Sequence, residues 1–65
     1  MINYALKIKE YRKHLFLTQD EFAKILSVSK VSVNRWETGK FEPTIKVKKK
    51  LYLLFIEAGM KIELG

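Results

Sequence analysis

The sequence contains no cysteine and only one histidine, His14. Without cysteine the chain forms neither a disulfide nor a thiolate metal site, and one histidine cannot supply a metal cluster. Catalysis needs acids, bases, nucleophiles or metal ligands that converge on one place, and the sequence offers no such set. We therefore expect a protein that is not an enzyme and that uses no metal and no cofactor.

Long apolar runs are also missing. No stretch approaches the roughly 18 to 20 apolar residues that span a membrane. The N-terminal sequence MINYALKIKE lacks the order of regions that defines a signal peptide. We expect a cytoplasmic chain without a membrane partner.

Acidic residues are scarce beside basic ones, with 7 Asp and Glu against 13 Lys and Arg and a net charge of +6. This surplus suits a polyanionic partner, and DNA, RNA and an anionic membrane surface all fit on charge alone. The membrane surface fits least well, because the basic residues do not form one large amphipathic face.

The chain has 65 residues, of which 48% are hydrophobic. That length predicts a single small domain, residues 1–65, built from close-packed helices. Because so small a core is marginal by itself, we expect oligomerisation to add stability.

The segment 18–39 has the pattern of two short helices joined by a tight turn. Thr18 and Glu21 match a capping box at the start of the first helix, and Ser29 is a natural cap for the second. Gly39 is a natural C-terminal stop. The side chains predicted to point inward lie at helical spacing and are Phe22, Ala23, Ile25, Leu26, Val33 and Trp36.

The second of these helices keeps a mainly polar outer face. Lysine and arginine can donate to guanine, and asparagine can pair with adenine. The alternative is an ordinary solvated surface, which is the usual fate of such residues. The outward residues are Lys30, Val31, Ser32, Asn34 and Arg35.

Two further helices flank this pair. Asn3 caps a helix that runs to about His14, and Thr44 caps a longer one from Ile45 to about Ala58. We expect the buried faces to contain Ala5, Ile8, Tyr11 and Leu15 in the first helix and Val47, Leu51, Leu54, Phe55 and Ala58 in the last. Phe16 follows the first helix, where a left-handed residue is common and an aromatic one is costly, so this connection is either unusual in geometry or longer.

The last helix is more apolar than one core face requires, because Tyr52, Leu53 and Ile56 point away from it. Residues 60–64 then alternate apolar and charged side chains with the period of a strand. A lone strand needs a partner, so the tail 59–65 either pairs with its copy in a second subunit, packs irregularly or frays. The predicted dimer interface comprises Leu53, Ile56, Met60 and Ile62.

The order of motifs resembles the XRE, or lambda-repressor/Cro-like, helix-turn-helix family. The resemblance lies in LTQ-x-EFA, then VS, then VNRWE, then GK and a proline, and it covers nearly the whole chain. It implies an all-α domain of four helices, or five, with a motif at about 18–39 whose segment from Ser29 to Glu37 enters the major groove. It further implies symmetric dimers that read paired half-sites in double-stranded DNA.

Residue roles follow from the same resemblance. Gln19 corresponds to a phosphate or base-edge contact, and Lys40 and the loop backbone at Phe41 to phosphate contacts. Arg12 and Glu37 match an ion pair that ties the first helix to the third. The positions that correspond to the exposed recognition surface are Ser29, Lys30, Val31, Ser32, Asn34 and Arg35, with Val31 suited to a thymine methyl group.

Two positions depart from the family pattern. Ser27 stands where the family often has glycine, which makes the angle between the paired helices less certain. Lys48 stands where the family tends to be apolar, and we expect its stem to cover the core while its ammonium group reaches water. The predicted function is a DNA-binding transcriptional repressor acting as a homodimer. The alternative is a small antitoxin-type module whose last helix and tail dock on a partner protein.

Overall fold

The computed structural model describes residues 3–60. They form four helices, α1 (Tyr4–His14), α2 (Gln19–Leu26), α3 (Lys30–Glu37) and α4 (Ile45–Glu57). Within that part of the chain there is no strand, and the prediction of an all-α, four-helix fold is confirmed. The predicted strand, residues 60–64, lies outside the described part except for Met60, and Ile62 lies outside it too. No described helix has both the length and the apolar character needed to cross a membrane.

Each helix begins at a side-chain cap that the sequence predicts. In each case a side-chain oxygen of the cap residue accepts a hydrogen bond from a backbone N–H three residues later. That N–H has no carbonyl partner within the helix, so the cap satisfies it. At α2 the box is complete, because the Glu21 carboxylate also accepts from the Thr18 N–H at 2.8 Å. The four caps are Asn3, Thr18, Ser29 and Thr44.

Each helix also ends in the same way, with one residue in the left-handed conformation and a backbone hydrogen bond that closes over it, as in a Schellman motif. Two of these residues are Gly39 and Gly59, and the other two are Phe16 (φ 56°) and Ser27 (φ 58°). The closing bonds run from Leu17 to Arg12, Val28 to Ala23, Lys40 to Arg35 and Met60 to Phe55. The connection after α1 is therefore unusual in geometry, with Phe16 92% exposed.

The core is formed by one apolar face from every helix. Tyr11 of α1 contacts aromatic rings of two other helices, with its ring centroid 5.5 Å from that of Phe22 in α2 and 5.9 Å from that of Phe55 in α4. Burial of these faces is the main source of stability in so small a fold. The buried apolar residues are Ile8, Tyr11, Phe22, Ala23, Leu26, Val33, Trp36, Leu51 and Phe55.

Two predictions of buried residues were wrong. Leu15 is 44% exposed, because it caps α1 and the chain already leaves the helical path there. Ile25 is 50% exposed. At 100° per residue it lies about 100° from the middle of the face that Phe22, Ala23 and Leu26 bury, beyond the edge of that face.

The surplus apolar residues of α4 behave as the sequence predicts. Leu53 is 66% and Ile56 52% exposed, whereas Tyr52 is half-buried. Met60 is partly buried and packs against the core. The outer face of α4 thus presents large apolar side chains that no described part of the chain covers.

Candidate nucleic-acid interface

Helix α3 divides its side chains between the core and an open surface. Val33, Trp36 and Glu37 are buried. The outward residues Lys30, Val31, Asn34 and Arg35 are all exposed, and Ser32 is half-buried. These outward residues of α3 form the predicted reading face, which is therefore open to solvent.

The first turn of α3 is stabilised by two serines. The Ser29 hydroxyl accepts a hydrogen bond from the Ser32 N–H at 3.1 Å, and the two hydroxyl oxygens are also 3.1 Å apart. Because these hydroxyls bind each other, their first role is to start the helix. The longer side chains of Lys30, Asn34 and Arg35 have the reach that base contacts need.

Helix α3 is held in place by a buried carboxylate at its end. Glu37 is 4% exposed. Nε and Nη2 of Arg12 donate to its two oxygens, and Nη1 of Arg12 donates to the backbone oxygen of Leu17 at 2.9 Å. Gln19 donates from its amide nitrogen to the same carboxylate at 3.2 Å. One carboxylate thus connects α1, the start of α2 and the end of α3.

The charges of this cluster are maintained by its hydrogen bonds. Burial raises the pKa of Glu37, but hydrogen bonds from Arg12 and Gln19 outweigh it, so the pKa lies below its ordinary value. The hydrogen bond to Glu37 raises the pKa of Arg12 in turn. Both groups stay ionised at neutral pH, which makes the two parallel bonds charge-assisted.

Gln19, predicted to contact phosphate or a base edge, is the first residue of α2 and is only half-exposed. Its bond to Glu37 fixes the direction of its amide group. Lys40 and Phe41 are exposed in the loop beyond α3, beside the reading face. The structure therefore brings the predicted phosphate contacts to the start of α2 and to the end of α3.

Three side-chain contacts in or beside this loop were not predicted from the sequence. The Arg35 guanidinium carbon lies over the Phe41 ring, 5.4 Å from its centroid. Nζ of Lys48 lies 3.1 Å from a carboxylate oxygen of Glu42 and 5.1 Å from the ring centroid of Tyr4. The ammonium group of Lys48 is therefore paired with the carboxylate of Glu42 in the loop. No spacing rule gives such contacts, because they depend on the path of the loop.

The described residues hold no group of three or more His, Asp or Glu side chains that could bind a metal ion. Their chemistry is that of a basic and amide-bearing surface on a short helix, with apolar Val31 among the polar groups. Such a surface can donate hydrogen bonds to base edges and to phosphates.

The chain belongs to the helix-turn-helix family, whose model matches residues 8–51. This match covers α1 from Ile8 onward, all of α2 and α3, and the first half of α4. The family is one of DNA-binding transcriptional regulators of the XRE type, as the resemblance in the sequence predicts.

Three relatives carry this domain in proteins of different length. The chain is 40% identical over 57 residues to the uncharacterized HTH-type transcriptional regulator MJ0272 of Methanocaldococcus jannaschii, covering 88% of this chain and 82% of the relative. It is 50% identical over 40 residues to the HTH-type transcriptional regulator DicA of Escherichia coli, covering 62% of the chain and 30% of DicA. It is 47% identical over 45 residues to the type II methyltransferase M.SsoII of Shigella sonnei, covering 65% of the chain and 12% of the enzyme. No solved structure gives a significant match.

Proposed function

We propose that this chain binds double-stranded DNA in a sequence-specific manner and represses transcription as a homodimer that occupies an operator. The observation that carries this proposal is the open outer face of α3, held in a fixed orientation by the Arg12, Glu37 and Gln19 cluster. A rigid helix with exposed donors is what reading of the major groove requires.

The outer face supplies three kinds of base contact. Lys30 and Arg35 can donate to O6 and N7 of guanine, and Asn34 can pair with N6 and N7 of adenine. Val31, 57% exposed, can contact the methyl group of thymine. Discrimination among base pairs comes from these contacts, whereas Ser29 and Ser32 hold the helix start near the DNA.

Affinity comes chiefly from the phosphate backbone. Lys40 is exposed in the loop beyond α3, Gln19 is the first residue of α2, and the chain carries a net charge of +6. The predicted phosphate contact through the Phe41 backbone competes with the bond from its N–H to the Arg35 carbonyl oxygen at 3.4 Å. Each phosphate contact releases counterions, so binding should weaken steeply as salt rises.

The homodimer joins through the outer face of α4. Leu53 and Ile56 are exposed there, and covering them would remove apolar surface from water. Met60 and Ile62 extend this predicted interface, although Met60 also packs on the core. Two copies related by a two-fold axis would read two half-sites, and a dimer seated on an operator would repress by excluding polymerase.

Selection of bound sequences from a random double-stranded oligonucleotide pool tests this function. The proposal predicts a palindromic consensus whose half-sites are separated by about one turn of DNA, or 10 base pairs. A pool without enrichment of any sequence would contradict it and would favour the protein-binding alternative. Enrichment of a single half-site would contradict the homodimer alone.

A further inference from the structure

Arg35 and Phe41 form a cation–π contact at the edge of the reading face. The guanidinium carbon lies 5.4 Å from the ring centroid, within the range of an attractive contact. Both side chains are exposed, Phe41 at 59%. The contact therefore lies on the surface, where nothing in the described core holds the two groups together.

The backbone brings these two residues together by a specific turn. The Arg35 carbonyl oxygen accepts from the N–H of Lys40 at 3.1 Å and from that of Phe41 at 3.4 Å. Gly39 adopts φ 77°, which lets the chain reverse between them. The proximity of Phe41 to Arg35 is thus a consequence of how α3 ends.

Phe41 contributes only in part to the packing of the fold, since it is 59% exposed and lines a surface cavity with Tyr4 and Trp36. The ring is not part of the core, whereas Pro43, two residues further on, is buried. A large apolar side chain left in water contributes little to folding. The exposed part of Phe41 contacts the guanidinium group of a predicted base reader, Arg35.

We propose that Phe41 is a positioning residue that determines specificity by holding the Arg35 guanidinium ready to contact a base. This rests on the proposed function and deepens it, since Phe41 was assigned only a backbone contact to phosphate. The guanidinium carbon lies over the face of the ring, whereas hydrogen bonds to guanine use N–H groups at the edge of the guanidinium plane. This cation–π contact therefore restricts the side chain before DNA binds and leaves N–H donors available.

The test is a double-mutant cycle on DNA-binding specificity. Fluorescence anisotropy at fixed salt gives the ratio of affinities for the selected site and for a scrambled duplex. Four variants are compared with the wild-type chain: Phe41→Leu, Phe41→Tyr, Arg35→Ala and the double variant Arg35→Ala with Phe41→Leu. Thermal unfolding of each variant verifies that it is folded.

Phe41→Leu should lower the specificity ratio about two- to five-fold, the effect expected of an exposed cation–π contact. Phe41→Tyr keeps a ring and should retain the ratio. In the Arg35→Ala background, Phe41→Leu should have no further effect, because the ring acts through the guanidinium. An equal loss in both backgrounds would show that the ring contacts DNA directly and would overturn the proposal. An unchanged or raised ratio in Phe41→Leu would overturn it as well.

The cycle separates this inference from the function on which it rests. If Arg35→Ala leaves the ratio unchanged, or the wild-type chain shows no preferred site, the assignment of Arg35 as a base reader fails and the inference fails with it. If Arg35→Ala lowers the ratio and Phe41→Leu does not, only the inference fails.

NMR of the free protein gives a readout without DNA, since ring currents should shift the Arg35 side-chain protons upfield in the wild type and not in Phe41→Leu. Equal shifts in both proteins would overturn the contact itself.

Discussion

The guanidinium group of Arg12 and the carboxylate of Glu37 face each other through two parallel hydrogen bonds, with 2.8 Å between Nη2 and Oε1. Arg12 lies in the last turn of α1, and Glu37 is the last residue of α3. The orientation of α3 therefore depends on a charge pair that is mostly shielded from water.

We predict that Arg12→Met lowers the free energy of unfolding by about 3 kcal/mol, because it leaves the buried Glu37 carboxylate without its charged partner. Urea unfolding at pH 7 measures this. Lys13→Met is the matched control, since Lys13 is exposed in the same turn of α1, and it should change stability by less than about 0.5 kcal/mol. Arg12→Lys keeps the charge but loses the parallel bonds, and its loss should lie between the two. Equal effects of Arg12→Met and Lys13→Met would contradict the structural role of the pair.

The lowered pKa of Glu37 predicts how stability depends on pH. In the unfolded chain this carboxyl protonates near its ordinary pKa of 4.5, whereas in the folded chain it does so at lower pH. The unfolded state therefore binds more protons between the two values, and stability is fully present above the unfolded pKa and lost as pH falls through the folded one. Glu21 adds loss of the same sign, because the hydrogen bond from the Thr18 N–H lowers its pKa.

Thermal unfolding between about pH 6 and pH 3 measures this dependence. The melting temperature of Glu37→Gln should fall less over this range than that of the wild-type chain, although the variant starts lower. Parallel curves for the two proteins would show that Glu37 is not a source of the acid sensitivity.

Phe16 occupies a backbone conformation that favours glycine. Phe16→Gly should raise the free energy of unfolding by about 0.5 to 1 kcal/mol. This is the backbone strain that the change relieves, minus the stability lost because glycine gives the unfolded chain more conformational freedom. Gly39→Ala is the converse change, because the residue has φ 77° with no atom near the added carbon, and it should lower stability by about 1 kcal/mol. Denaturant midpoints compare both with the wild-type chain. A loss of stability in Phe16→Gly would mean that the exposed ring stabilises the fold.

The proposed dimer predicts the effect of charges on the outer face of α4. Leu53→Asp and Ile56→Asp should each give a folded monomer, because a carboxylate cannot be buried there without a partner. Analytical ultracentrifugation measures the mass in solution. Leu6→Asp makes the same change at a leucine 61% exposed on α1 and should leave the dimer intact. If Leu53→Asp and Ile56→Asp sediment like the wild-type chain, the interface lies elsewhere.

Local signals gave the most accurate predictions from sequence. Asn3, Thr18, Ser29 and Thr44 cap helices because a side chain and a backbone N–H three residues apart are enough. Leu15 was misplaced because the chain leaves the helical path there, and Ile25 because it lies beyond the edge of the face that α2 buries.

Contacts between residues far apart in the sequence were predicted less well than the helix caps. Arg12 and Glu37 are separated by 25 residues, and only the family resemblance suggested their pairing. Arg35 and Phe41 were each singled out, but their contact follows from the turn at Gly39 and from side-chain directions that no sequence pattern specifies. The capped helices were therefore predictable, whereas the arrangement of side chains around the reading face was not.

The central claim is that the outer face of α3 reads base sequence while the loop beyond it binds phosphate. Fluorescence anisotropy of Arg35→Ala and Lys40→Ala on the selected site and on a scrambled duplex, over a range of salt, tests it most directly. Arg35→Ala should weaken binding to the selected site by roughly 1 to 3 kcal/mol and affect the scrambled duplex far less. Lys40→Ala should weaken binding to both duplexes about equally. It should also reduce the slope of log affinity against log salt concentration by about one, the value of a single phosphate contact. Equal losses on the two duplexes for Arg35→Ala would contradict the claim.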